Sequence, residues 1–262
     1  MSGLPLAARV ALWVSAAWRA GAPTGGALDE ALAAAHAGVD DVVGDPRATL
    51  DRWRREGERF LFVALPRPGA VLGMPPAAPD AVGAALDCGE AVLAPTVGGL
   101  LVPDLRLFGP AGDQGVQVCW TAYPAGPLPH HLVEAADAAA ASRGLADAVR
   151  VATRRLEEAG GIPWRALERL GPTGDAASLP GGLDPRAVEV LERAARVVVL
   201  ASAGLAGEQA GAALDAATSQ GRRLALGALA HAATSALAEA ANACVVDRDA
   251  QPSRGAQPST DR

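Results

Sequence analysis

All nine aromatic side chains of this 262-residue chain lie before position 165. Large rings dominate the energetics of a buried core, so their placement decides where a core can form. It puts the main core in residues 1–170 and leaves the rest to small aliphatic side chains. Residues 171–183 (GPTGDAASLPGGL) are rich in Gly, Pro and Ser and read as a linker. Residues 184–244 form an Ala-rich helical segment, and the polar stretch 245–262 reads as a disordered tail.

Within the first 170 residues the patterns alternate between helix and strand. Pro5 to Ala20 and a segment after Thr24, ending near Gly38, read as helices. Val39 to Val43 reads as a short strand. Asp45 then Pro46 supplies a cap followed by proline at the first helical position. Phe60 to Leu65 is apolar throughout, as a strand covered on both faces requires. A helix from Pro79 and a strand at Ala91–Ala94 follow. Leu100–Phe108 and Val116–Tyr123 flank a turn-forming segment and read as a hairpin. Pro129 opens a helix to Ala159, with Leu145, Ala148, Val149, Ala152 and Leu156 on its inner stripe. Further helices are expected from Asp184, around 207–218, and from 222 to 244. The strand–helix–strand units suggest parallel pairings. The fold class is α+β, close to α/β: a mixed sheet of four or five strands flanked by helices.

Charge and composition exclude several function classes. All 23 basic side chains are Arg and none is Lys, while Ile and Asn occur once each. These are the marks of GC-rich codon usage, so arginine abundance does not by itself signal phosphate recognition. The net charge is −6, and no basic stripe suits a nucleic acid. The Arg47–Arg59 cluster is interleaved with Asp51, Glu56 and Glu58, the pattern of a solvated, ion-paired helix face. The three cysteines are widely spaced, so a reducing cytoplasmic setting is expected, with no disulfide framework. The apolar run before Arg19 reads as an amphipathic helix rather than a secretion signal. The longest uncharged stretch, Leu224 to Ala238, is too short to span a bilayer, so no membrane segment is expected.

Candidate chemistry is sparse. The chain contains no Walker motif, no G-x-G-x-x-G after a strand, no G-x-S-x-G and no H-E-x-x-H. Cys88 lies between Asp87 and Glu90, and Cys119 lies within a strand, so neither suits a nucleophile. His130, Glu134 and Asp137 share one helix face, with nitrogen and carboxylate donors of the kind that bind zinc or iron. A solvated face is the alternative reading. Arg67 and Gly69, in the loop after the clearest strand, could meet Glu90 and form a ligand site, because open sheets bind ligands beyond strand ends. An ordered turn with an ion pair is the alternative there. No cofactor is expected.

The segments LPRPG (65–69), LGMP (72–75), ALDCGEAV (85–92) and GLLVP (99–103) resemble a family of uncharacterised actinobacterial proteins. The resemblance covers residues 5–160 and implies no activity. The leading expectation is therefore a non-enzymatic interaction or regulatory protein. It would associate with itself or with a protein partner through 184–244, because Leu224–Ala238 must be buried somewhere. Packing of that segment on the sheet domain is the alternative for the helices. For function, the alternative is a small-molecule-binding protein or enzyme using the 66–76 loop and Glu90.

Overall fold

Asp45 begins its helix as its chemistry dictates: the carboxylate accepts from Ala48 N at 2.7 Å, and Pro46 follows at the first turn. Comparable local rules set the other elements of the chain. The structure, a computed structural model, describes residues 4–33, 39–71, 73–110, 113–160, 179–209 and 216–246. Its elements are α1 (Leu6–Arg19), α2 (Thr24–Ala33), β1 (Val39–Val43), α3 (Pro46–Arg55), β2 (Phe62–Ala64), α4 (Pro79–Cys88) and β3 (Ala91–Leu93). They continue as β4 (Leu100–Phe108), β5 (Gly115–Tyr123), α5 (His130–Glu134), α6 (Ala138–Ala159), α7 (Pro185–Gln209) and α8 (Ala216–Val245). Val245 of the expected tail is the last residue of α8; the tail from 247 on, most of the linker and the segment between α7 and α8 lie outside the described residues.

The five strands form one mixed sheet in the order β1-β5-β4-β3-β2, which establishes the α+β class. The expected parallel strand–helix–strand units are not there. β1 and β2 sit at opposite edges, and β2 pairs antiparallel with β3. Among the described residues the one parallel pair is β1 with β5. The reason lies in the proline-rich loop after β2. It carries the chain back along the sheet until Ala77 bridges Ala125, just beyond the end of β5. Helix α4 then returns the chain to the end where β2 stopped, so β3 must run the opposite way. Gly99 makes the turn between β3 and β4 possible. Its φ is 132°, and a Cβ there would stand 2.6 Å from a ring carbon of buried Trp53.

β4 and β5 pair over nine residues each, but β3 accompanies β4 only at Leu100 and Leu101. The outer halves of β4 and β5, together with β1, therefore extend as a three-stranded arm. Along β4 the side chains change from buried at Leu100–Pro103 to exposed at Leu105–Phe108.

The expected helix from Pro129 to Ala159 is broken. Asp137 adopts an extended conformation and caps α6 by accepting from Ala139 N at 3.0 Å. The stripe on α6 faces inward at Leu145 and Ala152, both buried, whereas Val149 is exposed. α7 and α8 are long single helices, and α7 continues through Gln209, so no separate helix starts at 207. α8 lies along α6 and α7 and touches α1 and β2. By length and composition α8 could cross a membrane, but half of its apolar window is buried within the protein.

One continuous core results. It joins Leu12 of α1, Trp53 of α3 and Leu100 of β4 to Leu191 of α7 and Leu237 of α8. Asn242 fixes the helical layer to the sheet edge. Its side chain accepts from Val63 N at 2.8 Å and donates to Val63 O at 3.1 Å. It thereby satisfies the outward-facing backbone groups of β2, which a sheet edge otherwise leaves unpaired. Arg9 is buried on α1 with its Nε on the Leu4 carbonyl, while its Nη1 and Nη2 meet no hydrogen-bond partner.

Candidate functional site

Arg67, Pro68, Gly69 and Ala70 form a tight turn. Arg67 N and Ala70 O, and Ala70 N and Arg67 O, are hydrogen-bonded at 3.1 and 2.8 Å. Gly69 has the positive φ of 81° that the third position of such a turn demands. Arg67 is exposed on this turn. It shares a cavity of about 80 Å3 with Gly89, Pro5 and residues of α7 and α8. Ligand pockets span roughly 300–1,000 Å3, so this space suits a few waters.

Glu90 faces elsewhere. It is buried, and its Oε2 accepts from Ala7 N at 2.7 Å. Pro5 offers no side-chain cap to α1, and the carboxylate of Glu90 takes that place. Burial raises its pKa to about 7, against the pull of the Ala7 and Leu6 amides. Among the described residues no ion pair joins Arg67 to Glu90. The N-terminus of α1 holds this carboxylate.

The break between α5 and α6 separates the His130 group. His130 Nδ1 lies 3.3 Å from Glu134 Oε2 on α5, and both are exposed. Asp137 is committed to the cap of α6. Among the described residues no group of three or more His, Cys, Asp or Glu could hold a metal ion. The three cysteines are free, and burial pushes the Cys244 thiol up to about 12, far from nucleophilic use.

Two larger hollows lie elsewhere among the described residues. One, of about 690 Å3, opens where α6, α7 and α8 meet Arg19. Its three arginines are matched by Asp137, Asp184 and Glu189, and Arg193 bonds Glu189 at 2.8 Å. A second, of about 900 Å3, lies between Arg19, the end of α3 and His130.

The arm is the other unusual surface. On β4 Leu105 is 50% exposed and Leu107 is 68% exposed, and Val42 and Val43 of β1 are also exposed. Registered neighbours share a face, so Val42, Val118 and Leu105 line up, followed by Val116 and Leu107. The edge of β4 is open as well. Gly99 O accepts from Ala94 N of the β3 side. Backbone direction alternates along a strand, so the N–H and C=O groups of Leu105 and Leu107 point to that same side. Beyond Leu101, no described strand receives them. Pro103 has no N–H and presents only its carbonyl on this side, as proline in an edge strand does, so the open donors are those of Leu105 and Leu107.

The molecule is thus an α+β protein with a helical layer closing one sheet edge and an open arm at the other end. It belongs to the Rv1486c-like family. The model of the family's N-terminal domain matches residues 7–135 and that of the C-terminal domain matches 139–238. The division falls at the break between α5 and α6. No curated protein and no solved structure matches the chain.

Sequence reasoning did not single out the arm or the larger hollow. The signal for the arm was present: Asp104-Leu105-Arg106-Leu107 alternates, yet its apolar side continues past the point where β3 stops. For the hollow the trace was the Arg47–Arg59 cluster, which reads as a solvated helix face; tertiary packing brings its Arg54 and Arg59 beside Arg19 and His130.

Proposed function

We propose that this is a non-enzymatic interaction protein whose docking surface is the β1–β5–β4 arm. The observation that carries the reading is the exposure of Leu105 and Leu107 beside an unpaired strand edge. Val118 between Val42 and Leu105 is buried, so the exposed side chains flank it. Exposed apolar side chains mark an association site, and an open edge can accept a strand from another chain. The partner is a protein, a second copy included. The helices of 184–244 supply less free apolar surface than the sequence suggests, because Leu191, Ala233, Leu237 and Ala240 are spent inside. A cytoplasmic setting goes with this reading, supported by the three free cysteines.

The test is a paired substitution, Leu105→Ser with Leu107→Ser. Both side chains lie outside the core, so stability is expected to change by no more than about 0.5 kcal/mol. Isolated from its own cells, the natural protein is expected in an assembly heavier than its 26.3 kDa chain. The variant is expected as the monomer. Monomeric mass for both would overturn the reading.

A further inference from the structure

The hollow of about 900 Å3 is a separate surface from the arm, and arginine predominates among its charged lining residues. Arg19, Arg54, Arg59 and His130 line it, with Glu58 as the lining carboxylate. Glu58 is buried and already spent. Its Oε2 accepts from Thr96 N at 2.7 Å and Val97 N at 3.1 Å, and its Oε1 accepts from Arg59 N at 3.2 Å. It serves the 95–97 turn and offsets one charge, leaving the three arginines in excess on the lining.

The guanidinium groups are held without being discharged. Arg19 donates to the Val245 carbonyl at 3.0 Å, and Arg54 donates to the Ala22 carbonyl at 2.7 Å. None of Arg19, Arg54 or Arg59 makes an ion pair among the described residues. Arg19 also borders the neighbouring 690 Å3 hollow, where three carboxylates stand, whereas Arg54 and Arg59 face only this one. His130 is paired with Glu134 at 3.3 Å, so the excess rests on the arginines, and in a chain of net charge −6 three arginines to one lining carboxylate is conspicuous. The remaining wall is apolar and partly aromatic, with Phe60, Pro95, Pro127 and Leu128. Planar guanidinium donors suit phosphate oxygens, and an apolar wall suits a flat organic body.

We infer that this cleft binds a small phosphorylated molecule with an aromatic or apolar body, of nucleoside diphosphate size, its phosphates on Arg19, Arg54 and Arg59 and its body against Phe60 and Leu128. The probes are ADP, pyrophosphate and adenosine, titrated into the full chain by calorimetry. ADP is expected to bind, pyrophosphate more weakly, and adenosine more weakly still, with ADP affinity falling as salt rises. Arg59→Ala removes an exposed side chain that anchors nothing in the fold. It is expected to weaken ADP at least about tenfold while the unfolding temperature stays unchanged. No heat from ADP or pyrophosphate at about 1 mM would overturn the proposal. So would equal ADP affinity in Arg59→Ala. Pyrophosphate binding as tightly as ADP would overturn the role of the apolar wall.

Discussion

A chain ending at Gly182 is expected to lose cooperative folding altogether. The deletion removes α7 and α8 and with them Leu191, Leu237, Cys244 and Val245, all buried in the same core as α1 and the sheet. Burying one such aliphatic side chain contributes about 1.5–3 kcal/mol. A few of them together match the roughly 5–15 kcal/mol by which a domain is stable. The deletion also strips Asn242 from Val63 and the Val245 carbonyl from Arg19, leaving the β2 edge open. Near-ultraviolet circular dichroism and a denaturant titration decide the matter. The expected result is no native aromatic signal and no sigmoidal transition. A truncated chain with a sharp transition would mean that the sheet domain carries its own core.

The second large effect concerns Glu90 and pH. Its carboxyl is raised from 4.5 to about 7 in the folded chain, chiefly by burial. The folded state therefore holds this proton more tightly than the unfolded state. The stabilisation is fully present below pH 4.5 and is lost as pH rises through 7. At 1.36 kcal/mol per pH unit it amounts to about 3 kcal/mol. Glu90→Gln keeps an oxygen for the Ala7 amide and abolishes the titration. The stability of Glu90→Gln minus that of the natural chain is expected to climb between pH 5 and pH 8 by about 2–3 kcal/mol. Taking this difference cancels the other carboxylates. Denaturant titrations at four pH values measure it, and a flat difference would show that burial does not govern this carboxyl.

Elements governed by neighbours in sequence were legible in the chain. Asp45-Pro46 marks the start of α3, Pro79 opens α4, and the β4–β5 hairpin lies where its turn residues put it. What depends on partners distant in sequence was not legible. Nothing between Val39 and Val43 says that β1 will pair with Val116–Cys119. The apolar run at Phe62–Ala64 fits a parallel or an antiparallel strand equally well, because both bury two faces. The helix from Pro129 read as continuous because Asp137 fits a helical spacing, although it is also a good cap, and here the cap prevails.

The same limit applies to the candidate sites. Glu90 follows the helix stop that brings it near the start of β3, yet only the fold shows that α1 claims it. Leu224–Ala238 had to be buried somewhere, and composition cannot distinguish an intramolecular neighbour from a partner. In the structure Ala225, Leu226, Ala233 and Leu237 are buried within the chain, and Leu224 remains 66% exposed.

Amide hydrogen exchange at Leu105 and Leu107, on the protein isolated with its natural associates, tests the docking arm most directly. Both N–H groups point to the open side of β4 and have no strand beside them in the single chain. The account predicts slow exchange at these two amides, lost when Leu105 and Leu107 are replaced by Ser. Fast exchange at both amides in the natural preparation would show that nothing docks on the arm and would contradict the account.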